Sequence, residues 1–177
     1  MTRITKIFIA LALFGATAVA QAQIVFLTPS DSMIEPGDMV TLDVMYDFED
    51  VPTVGGSLDA FWDPAILQLV SWEFGPDSGD PIFNVVPDDS TAGILFQFGF
   101  GNFPALPNTG TAFSMTFMAV GAGTSTVSLL ETTGPFGGFP EFDPSFVDAT
   151  VTVVPVPAAI WLMFGGLASL IGFGRRA

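Results

Sequence analysis

The chain of 177 residues has no cysteine and no histidine, and its few basic residues all lie near the two ends. These are Arg3, Lys6, Arg175 and Arg176, whereas all 18 acidic residues lie between Asp31 and Asp148. Residues 23–153 therefore carry a formal charge of −18, and no salt bridge can form among them. Disulfides are excluded. A chain of this charge repels nucleic acid and anionic lipid, so we exclude both as partners.

The same absences remove most enzyme chemistry. Without histidine, cysteine or a central lysine there is no Ser-His triad, thiol nucleophile, Schiff base or imidazole site for zinc. No phosphate-binding glycine loop is present either. Hydrolysis of glycosides by two carboxylates is the one acid–base mechanism that remains. Among 18 carboxylates some close pair is unavoidable, so we predict a protein that is not an enzyme and has no required cofactor.

Residues 1–22 have the three parts of a signal peptide. Arg3 and Lys6 form a positive start, residues 7–19 are apolar, and an A-x-A cleavage pattern ends at Ala22. Thirteen apolar residues are too few to span a bilayer comfortably. We therefore predict export and cleavage after Ala22.

Residues 154–177 form a second targeting segment. It begins with Val154, Pro155, Val156, Pro157 and Ala158. The prolines separate the preceding chain from an uncharged apolar stretch, residues 158–174, which is at the lower edge of the roughly 17–25 residues that span a bilayer. Arg175 and Arg176 follow it as a positive-inside anchor. The sequence predicts one transmembrane helix over residues 158–174, with the C-terminus in the cytoplasm.

This order of parts resembles the PEP-CTERM sorting signals of Gram-negative bacteria, in their VPLPA-type variant, with Val156 at the position of leucine. The resemblance implies processing near the prolines by an exosortase-type membrane peptidase. It also implies a precursor held at the inner membrane by its helix and then moved to the cell surface or the extracellular matrix. A permanent single-span anchor and a buried C-terminal helix are the alternatives.

Residues 23–153 alternate apolar and polar side chains in short stretches that are separated by turn residues. Such stretches occur at residues 24–27, 39–46, 56–62, 66–72, 94–101, 111–120, 124–130 and 146–154, with a weaker one at 82–86. No long helical period precedes Ala158. The pattern predicts eight or nine strands in an all-β, two-sheet antiparallel sandwich or jelly roll.

The predicted strand at residues 56–62 ends at Trp62. It is followed by Asp63, Pro64, Ala65, Ile66 and Leu67. This motif, after the Gly37-Asp38 turn, resembles the first half of a cohesin domain, in which an aromatic-Asp-Pro-x-x-Leu sequence follows a strand. Asp63 can cap the turn that Pro64 begins, and Leu67 can return to the core. The resemblance implies a nine-stranded jelly roll related to carbohydrate-binding modules.

Three kinds of site remain open. Acidic loops could hold Ca²⁺, with Asp77 and Asp80 as candidates, although none has the spacing of a known calcium loop. A row of exposed aromatics, Phe96, Phe98 and Phe100, would make the domain a carbohydrate-binding module. Exposed strand edges could drive self-assembly. Our leading prediction is an exported surface or matrix protein that displays an acidic cohesin-like module for adhesion, binding another surface protein or a polysaccharide.

Overall fold

The computed structural model describes residues 23–133 and 137–155, together with Met163. The described chain is all-β, as the sequence predicts. Its ten strands are β1 (Ile24–Pro29), β2 (Met33–Ile34), β3 (Met39–Asp47), β4 (Gly55–Phe61), β5 (Leu67–Phe74), β6 (Ile94–Gly101), β7 (Thr109–Ala119), β8 (Gly123–Glu131), β9 (Ser145–Val147) and β10 (Ala149–Val153). One 3-10 turn, Pro81–Phe83, lies between β5 and β6.

The strands form two five-stranded sheets that pack face to face. Sheet I has the order β5-β7-β3-β1-β9, and sheet II has the order β2-β10-β8-β4-β6. Most neighbours are antiparallel, but β9 runs parallel to β1 and β10 runs parallel to β2. The prediction of a two-sheet sandwich is therefore confirmed, while a purely antiparallel arrangement is wrong at the two strands that close the fold.

Strand β3 shows why the alternating pattern folds this way. Its residues from Val40 to Tyr46 are buried at every second position, and the residues between them face outward. Val40, Leu42 and Val44 are all at most 1 % exposed. Strand β3 pairs with β1 on one side and with β7 on the other, so a one-residue shift would expose its whole apolar row.

The predicted last strand, residues 146–154, is two strands in different sheets. Strand β9 pairs with β1 in sheet I, whereas β10 pairs with β8 in sheet II. Asp148 lies at the crossing, where its carboxylate accepts hydrogen bonds from the Ser128 hydroxyl at 3.0 Å and the Leu129 N–H at 3.3 Å. A single apolar period spans the crossing, so the sequence pattern gives no sign of it.

Strand β6 departs from its predicted alternation. Ala60 of β4 faces Leu95, and Leu58 faces Phe98, so two residues of β6 lie opposite one residue of β4. Gln97 takes up this extra residue at φ 58°. The bulge reverses the side-chain direction along the strand. Leu95 and Phe98 are consequently both buried, and Phe96 is 43 % exposed.

The weak strand predicted at residues 82–86 is also wrong in its first half. Asp80 caps the 3-10 turn there, its Oδ1 accepting the Ile82 N–H at 3.0 Å. Beyond the turn, Val85 pairs with Gly99 and Asp88 pairs with Phe96, each through two backbone hydrogen bonds. These bridges extend sheet II beyond β6. Strand β2 has two residues, too few to form a recognisable pattern.

The two predicted targeting segments fall almost entirely outside the described residues. Residues 1–22 are not described, and of residues 156–177 only Met163 is. Among the helices of the described part, none has the length and hydrophobicity that a bilayer crossing requires.

Candidate interaction surface

The motif that begins at Trp62 makes a compact turn between β4 and β5. The Oδ1 atom of Asp63 accepts the Ala65 N–H at 2.9 Å, and the Asp63 carbonyl accepts the N–H groups of Ile66 and Leu67. Asp63 is itself fixed because its N–H donates to the Ser125 hydroxyl at 3.0 Å. Leu67 is fully buried. The motif thus anchors the connection between the sheets by local hydrogen bonds and one core side chain.

Five aspartates at turns and strand ends bind nearby backbone N–H groups. Asp31, Asp47, Asp63, Asp80 and Asp88 each accept the N–H of the residue two positions later, at 2.9 or 3.0 Å. This is the geometry of an Asx turn. Hydrogen bonds from the Ser90 hydroxyl and N–H hold the pKa of Asp88 below its usual range. The carboxylates therefore organise turns.

The two calcium candidates have separate backbone partners. The Oδ2 atom of Asp77 accepts the Thr111 N–H at 3.0 Å, and Asp80 caps the 3-10 turn. No group of three acidic residues that could hold a metal ion occurs in the described ranges. Calcium binding by Asp77 and Asp80 stays a prediction, without a prebuilt ligand cluster among these residues.

Tyr46 connects β3 to the loop after β5. Its hydroxyl donates to the Asp77 carbonyl at 2.9 Å, and its ring stacks on Phe48 with centroids 4.5 Å apart. Burial of the side chain, with a smaller effect from the Asp77 charge, raises the pKa of Tyr46 to about 12. The neutral phenol is therefore a structural group here, since a buried anion would be costly.

Aromatic rings from a later loop close one end of the sandwich. Phe139 is buried and packs edge-on against Phe48 and Phe100, while Phe142 lies parallel to Phe139 at 5.6 Å. Phe98 is also buried, where it stacks on Phe113. Phe98 and Phe100 are buried, and only Phe96 of the three is exposed. The hypothesis that these three phenylalanines form an exposed carbohydrate-binding row is therefore wrong.

An apolar strip covers the open edge of sheet II. We define the strip as Ile82, Phe83, Val85, Val86 and Phe96, which are between 36 % and 79 % exposed. The bridges of Val85 and Asp88 to β6 hold its two segments side by side. Isolated exposed apolar residues are ordinary, but several on adjacent segments are typical of an interaction surface. The sequence missed this surface because the bulge at Gln97 exposes Phe96.

The predicted sorting motif begins directly after the sandwich. The Val154 N–H donates to the Ile34 carbonyl at 2.8 Å, and both Val154 and Pro155 are exposed. Val156, Pro157, Ala158, Arg175 and Arg176 lie outside the described residues. Strand β10 thus brings the chain to the surface at the point where the predicted processing motif starts.

This arrangement of two sheets is a cohesin-like sandwich. A type II cohesin domain from the cellulosome of Acetivibrio cellulolyticus matches with a TM-score of 0.61 and 20 % identity, covering 74 % of this chain and 95 % of that one. The seventh ScaB type I cohesin from Pseudobacteroides cellulosolvens matches with a TM-score of 0.60 and 16 % identity, covering 77 % and 94 %.

A non-cellulosomal cohesin from the archaeon Archaeoglobus fulgidus also matches, with a TM-score of 0.55 and 12 % identity, covering 76 % of this chain and 92 % of that one. No protein-family model and no curated protein sequence matches the chain. The likeness thus establishes a cohesin-like domain as the fold.

Proposed function

We propose that the protein is exported and displayed at the cell surface or in the extracellular matrix, where its domain binds another surface protein without catalysis. The observation that carries this proposal is the apolar strip on an otherwise strongly acidic cohesin-like sandwich. Two of the similar solved structures support a protein partner, because each contains a cohesin bound to another protein. The third cohesin of ScaC and the sixth cohesin of scaffoldin B, both from Acetivibrio cellulolyticus, are each in complex with a dockerin.

The charge of the domain narrows the chemistry of the partner. With no Lys, Arg or His in residues 23–153, the domain can supply only acidic and neutral groups to an interface. A partner with an apolar centre and a basic rim would be attracted over a distance and then held by burial of the strip. Because such attraction is screened by salt, association should slow as the ionic strength rises.

Delivery is the second part of the proposal. The signal peptide would export the chain, the helix at residues 158–174 would hold it in the inner membrane, and an exosortase-type peptidase would cut near Pro155 and Pro157. The exposed position of Val154 and Pro155, the first two residues of the motif, at the end of β10 supports cleavage by such an enzyme. Release or transfer of the acidic sandwich would then follow.

Intact mass of the protein from envelope and medium fractions of the native host tests this delivery. We expect a species that begins at Gln23 and ends near Pro155 and Pro157. A membrane-bound species that retains Arg175 and Arg176 would instead establish a permanent single-span anchor.

The apolar strip is tested in the same host with a double variant, Ile82→Ser with Phe83→Ser. We expect the folded variant to leave the envelope or matrix fraction and to accumulate in the medium, because the partner loses its apolar contact. The matched control is Met39→Ser with Val147→Ser, which changes two exposed residues of sheet I. This control should be retained in the envelope or matrix fraction as the wild type is. Equal retention of wild type, double variant and control would remove the strip as the interaction surface.

A further inference from the structure

A cleft of about 750 Å³ opens between strand β5 and residues 89–93, the segment that leads into β6. Strand β5 is an edge strand of sheet I, and β6 is the last full strand of sheet II, so the cleft lies at an open side of the sandwich. Its volume is within the range of roughly 300–1,000 Å³ that is typical of small-ligand sites. Two of the three tryptophans of the chain, Trp62 and Trp72, line it.

One of these tryptophans has a donor without an acceptor. Trp62 is 8 % exposed, its ring packs edge-on against Phe117 at 5.0 Å, and its buried Nε1 has no hydrogen-bond partner among the residues that the structure describes. Unpartnered buried donors are rare because each loses its hydration without replacement. Trp62 lines the cleft, so a ligand acceptor that reached this N–H after a small shift of the ring would supply the missing partner.

The other tryptophan is held in place at the cleft. The Nε1 of Trp72 donates to Oδ2 of Asp89 at 3.1 Å, which fixes the indole against the 89–93 segment. The Trp72 ring is also stacked on Phe113, with centroids 5.6 Å apart and planes inclined by 15°. A half-buried indole that is fixed on two sides is a preorganised apolar surface, so a ligand need not order it.

The remaining lining groups specify the kind of ligand. Gln68, Ser71 and Thr91 add an amide and two hydroxyls, and Asp89 adds a carboxylate. No positive side chain exists in residues 23–153 to neutralise an anionic ligand. Hydroxyl groups of a ligand can donate to the carboxylate and accept from the amide, the hydroxyls and an indole N–H. The set therefore suits a neutral molecule that combines many hydroxyls with apolar C–H faces.

The edge of β5 argues against an added peptide strand as the occupant. Strand β5 carries a bulge between Leu69 and Ser71, where the pairing with β7 slips by one residue at Val70. Such a bulge interrupts the regular row of backbone groups that strand addition needs. We propose that this cleft binds a neutral oligosaccharide, with Trp62 and Trp72 as its aromatic walls. The site shares no residue with the apolar strip, so it stands independently of the proposed protein partner.

Tryptophan fluorescence of the full chain with Trp161→Phe tests the proposal, because Trp62 and Trp72 are then the two fluorescent tryptophans. The probes are neutral hexasaccharides with β-1,4-glucan, β-1,3-glucan, α-1,4-glucan and β-1,4-mannan linkages, and a hexagalacturonate as the anionic comparison. We expect at least one neutral probe to produce a saturable change and the anionic probe to produce none. No saturable change with any neutral probe, or equal binding of the anionic one, would overturn the proposal.

Two variants distinguish binding from folding. Trp62→Phe keeps a ring beside Phe117 and removes the N–H together with part of the buried indole, so the Tm should fall modestly while the affinity falls about threefold or more. Trp72→Ala should reduce affinity about tenfold or more through loss of the apolar wall. Trp72→Ala also removes core contacts. Asp89→Ala is therefore a second variant, which removes a cleft carboxylate without removing a core side chain and should also reduce the affinity. Phe83→Ser, on the apolar strip, is the matched control and should bind the sugar normally.

A second copy of the chain is the competing occupant of the cleft. It would appear as a dimer in sedimentation that Val70→Lys disrupts and that the neutral probes do not affect. That result, or unchanged sugar affinity in both Trp62→Phe and Asp89→Ala, would contradict the assignment of this cleft to an oligosaccharide.

Discussion

Strands β3 and β6 have equally regular apolar alternation in the sequence, but they fold differently. In β3 every second side chain from Val40 to Tyr46 enters the core. In β6 the alternation reverses at Gln97, so Leu95 and Phe98 are buried and Phe96 faces outward. The difference arises in the neighbouring strand, because β4 supplies one residue, Asp59, opposite two residues of β6.

Asp59 explains why the bulge is stable. Its Oδ1 accepts the Gln97 N–H at 2.8 Å and the Thr132 hydroxyl at 2.7 Å, although the side chain is only 7 % exposed. A buried carboxylate is tolerated when hydrogen-bond donors surround it. In contrast, Asp43 of β3 lies on the outer face and accepts one bond, from the Ser114 hydroxyl at 2.6 Å. In β6 a buried carboxylate therefore supports a change of register that the apolar alternation does not predict.

The largest expected effect compares Phe98 with Phe96. We expect Phe98→Ala to lower the free energy of unfolding by about 3–5 kcal/mol, because the fully buried ring leaves a cavity beside Phe113. Phe96→Ala should cost less than about 1 kcal/mol, since its side chain is 43 % exposed and leaves no closed cavity. Urea denaturation of both variants measures the difference. Equal losses would mean that β6 keeps a regular register with Phe96 in the core.

The next effect tests the support of the bulge. Asp59→Ala leaves the Gln97 N–H and the Thr132 hydroxyl without their acceptor, and we expect a loss of about 2–3 kcal/mol in the free energy of unfolding. Asp59→Asn keeps an acceptor oxygen and should lose less. Asp43→Ala is the control in the regular sheet, with an expected loss of about 1 kcal/mol or less. An Asp59→Ala variant as stable as Asp43→Ala would show that the bulge does not depend on the carboxylate.

The smallest effect comes from the backbone of the bulge. Gln97 has a positive φ, which is unfavourable for a residue with a Cβ atom. We expect Gln97→Gly to be neutral or to stabilise by up to about 1 kcal/mol. Thr116→Gly, at a position of β7 without a positive φ, should destabilise by about 1 kcal/mol because it removes a β-branched side chain from extended backbone. In thermal melts the Tm of Thr116→Gly should therefore fall, whereas that of Gln97→Gly should stay equal or rise, and a clear fall in the Tm of Gln97→Gly would contradict this account.

The sequence predicts the parts of the fold that depend on local pattern. Seven of the predicted stretches, from the one at residues 24–27 to the one at 124–130, coincide with strands within a few residues, because each repeats apolar side chains with period two. The sequence could not reveal the crossing at Asp148, since residues 146–154 keep one period across two sheets. It also could not show that Phe98 and Phe100 are buried while Phe96 is exposed.

The candidate sites also differ in whether they depend on residues that are close in the sequence or on residues that are far apart. The turn at Asp63 could be anticipated because its hydrogen bonds are local in the chain. The apolar strip and the cleft could not, because each combines segments that meet only after the sheets have formed. The sequence indicates Trp62 as part of a fold motif, whereas the burial of its Nε1 becomes visible only when the core is packed around it.

Composition and short-range pattern alone determined that this is an acidic, cysteine-free, all-β domain between two predicted targeting segments. These properties follow from which residues are present and from their spacing along the chain. The tertiary structure decided the parallel closing strands, the direction of the β6 side chains and the surfaces that remain open. Each of these depends on a contact between distant residues, such as that of Asp59 with Gln97, and such contacts have no signature in a local pattern.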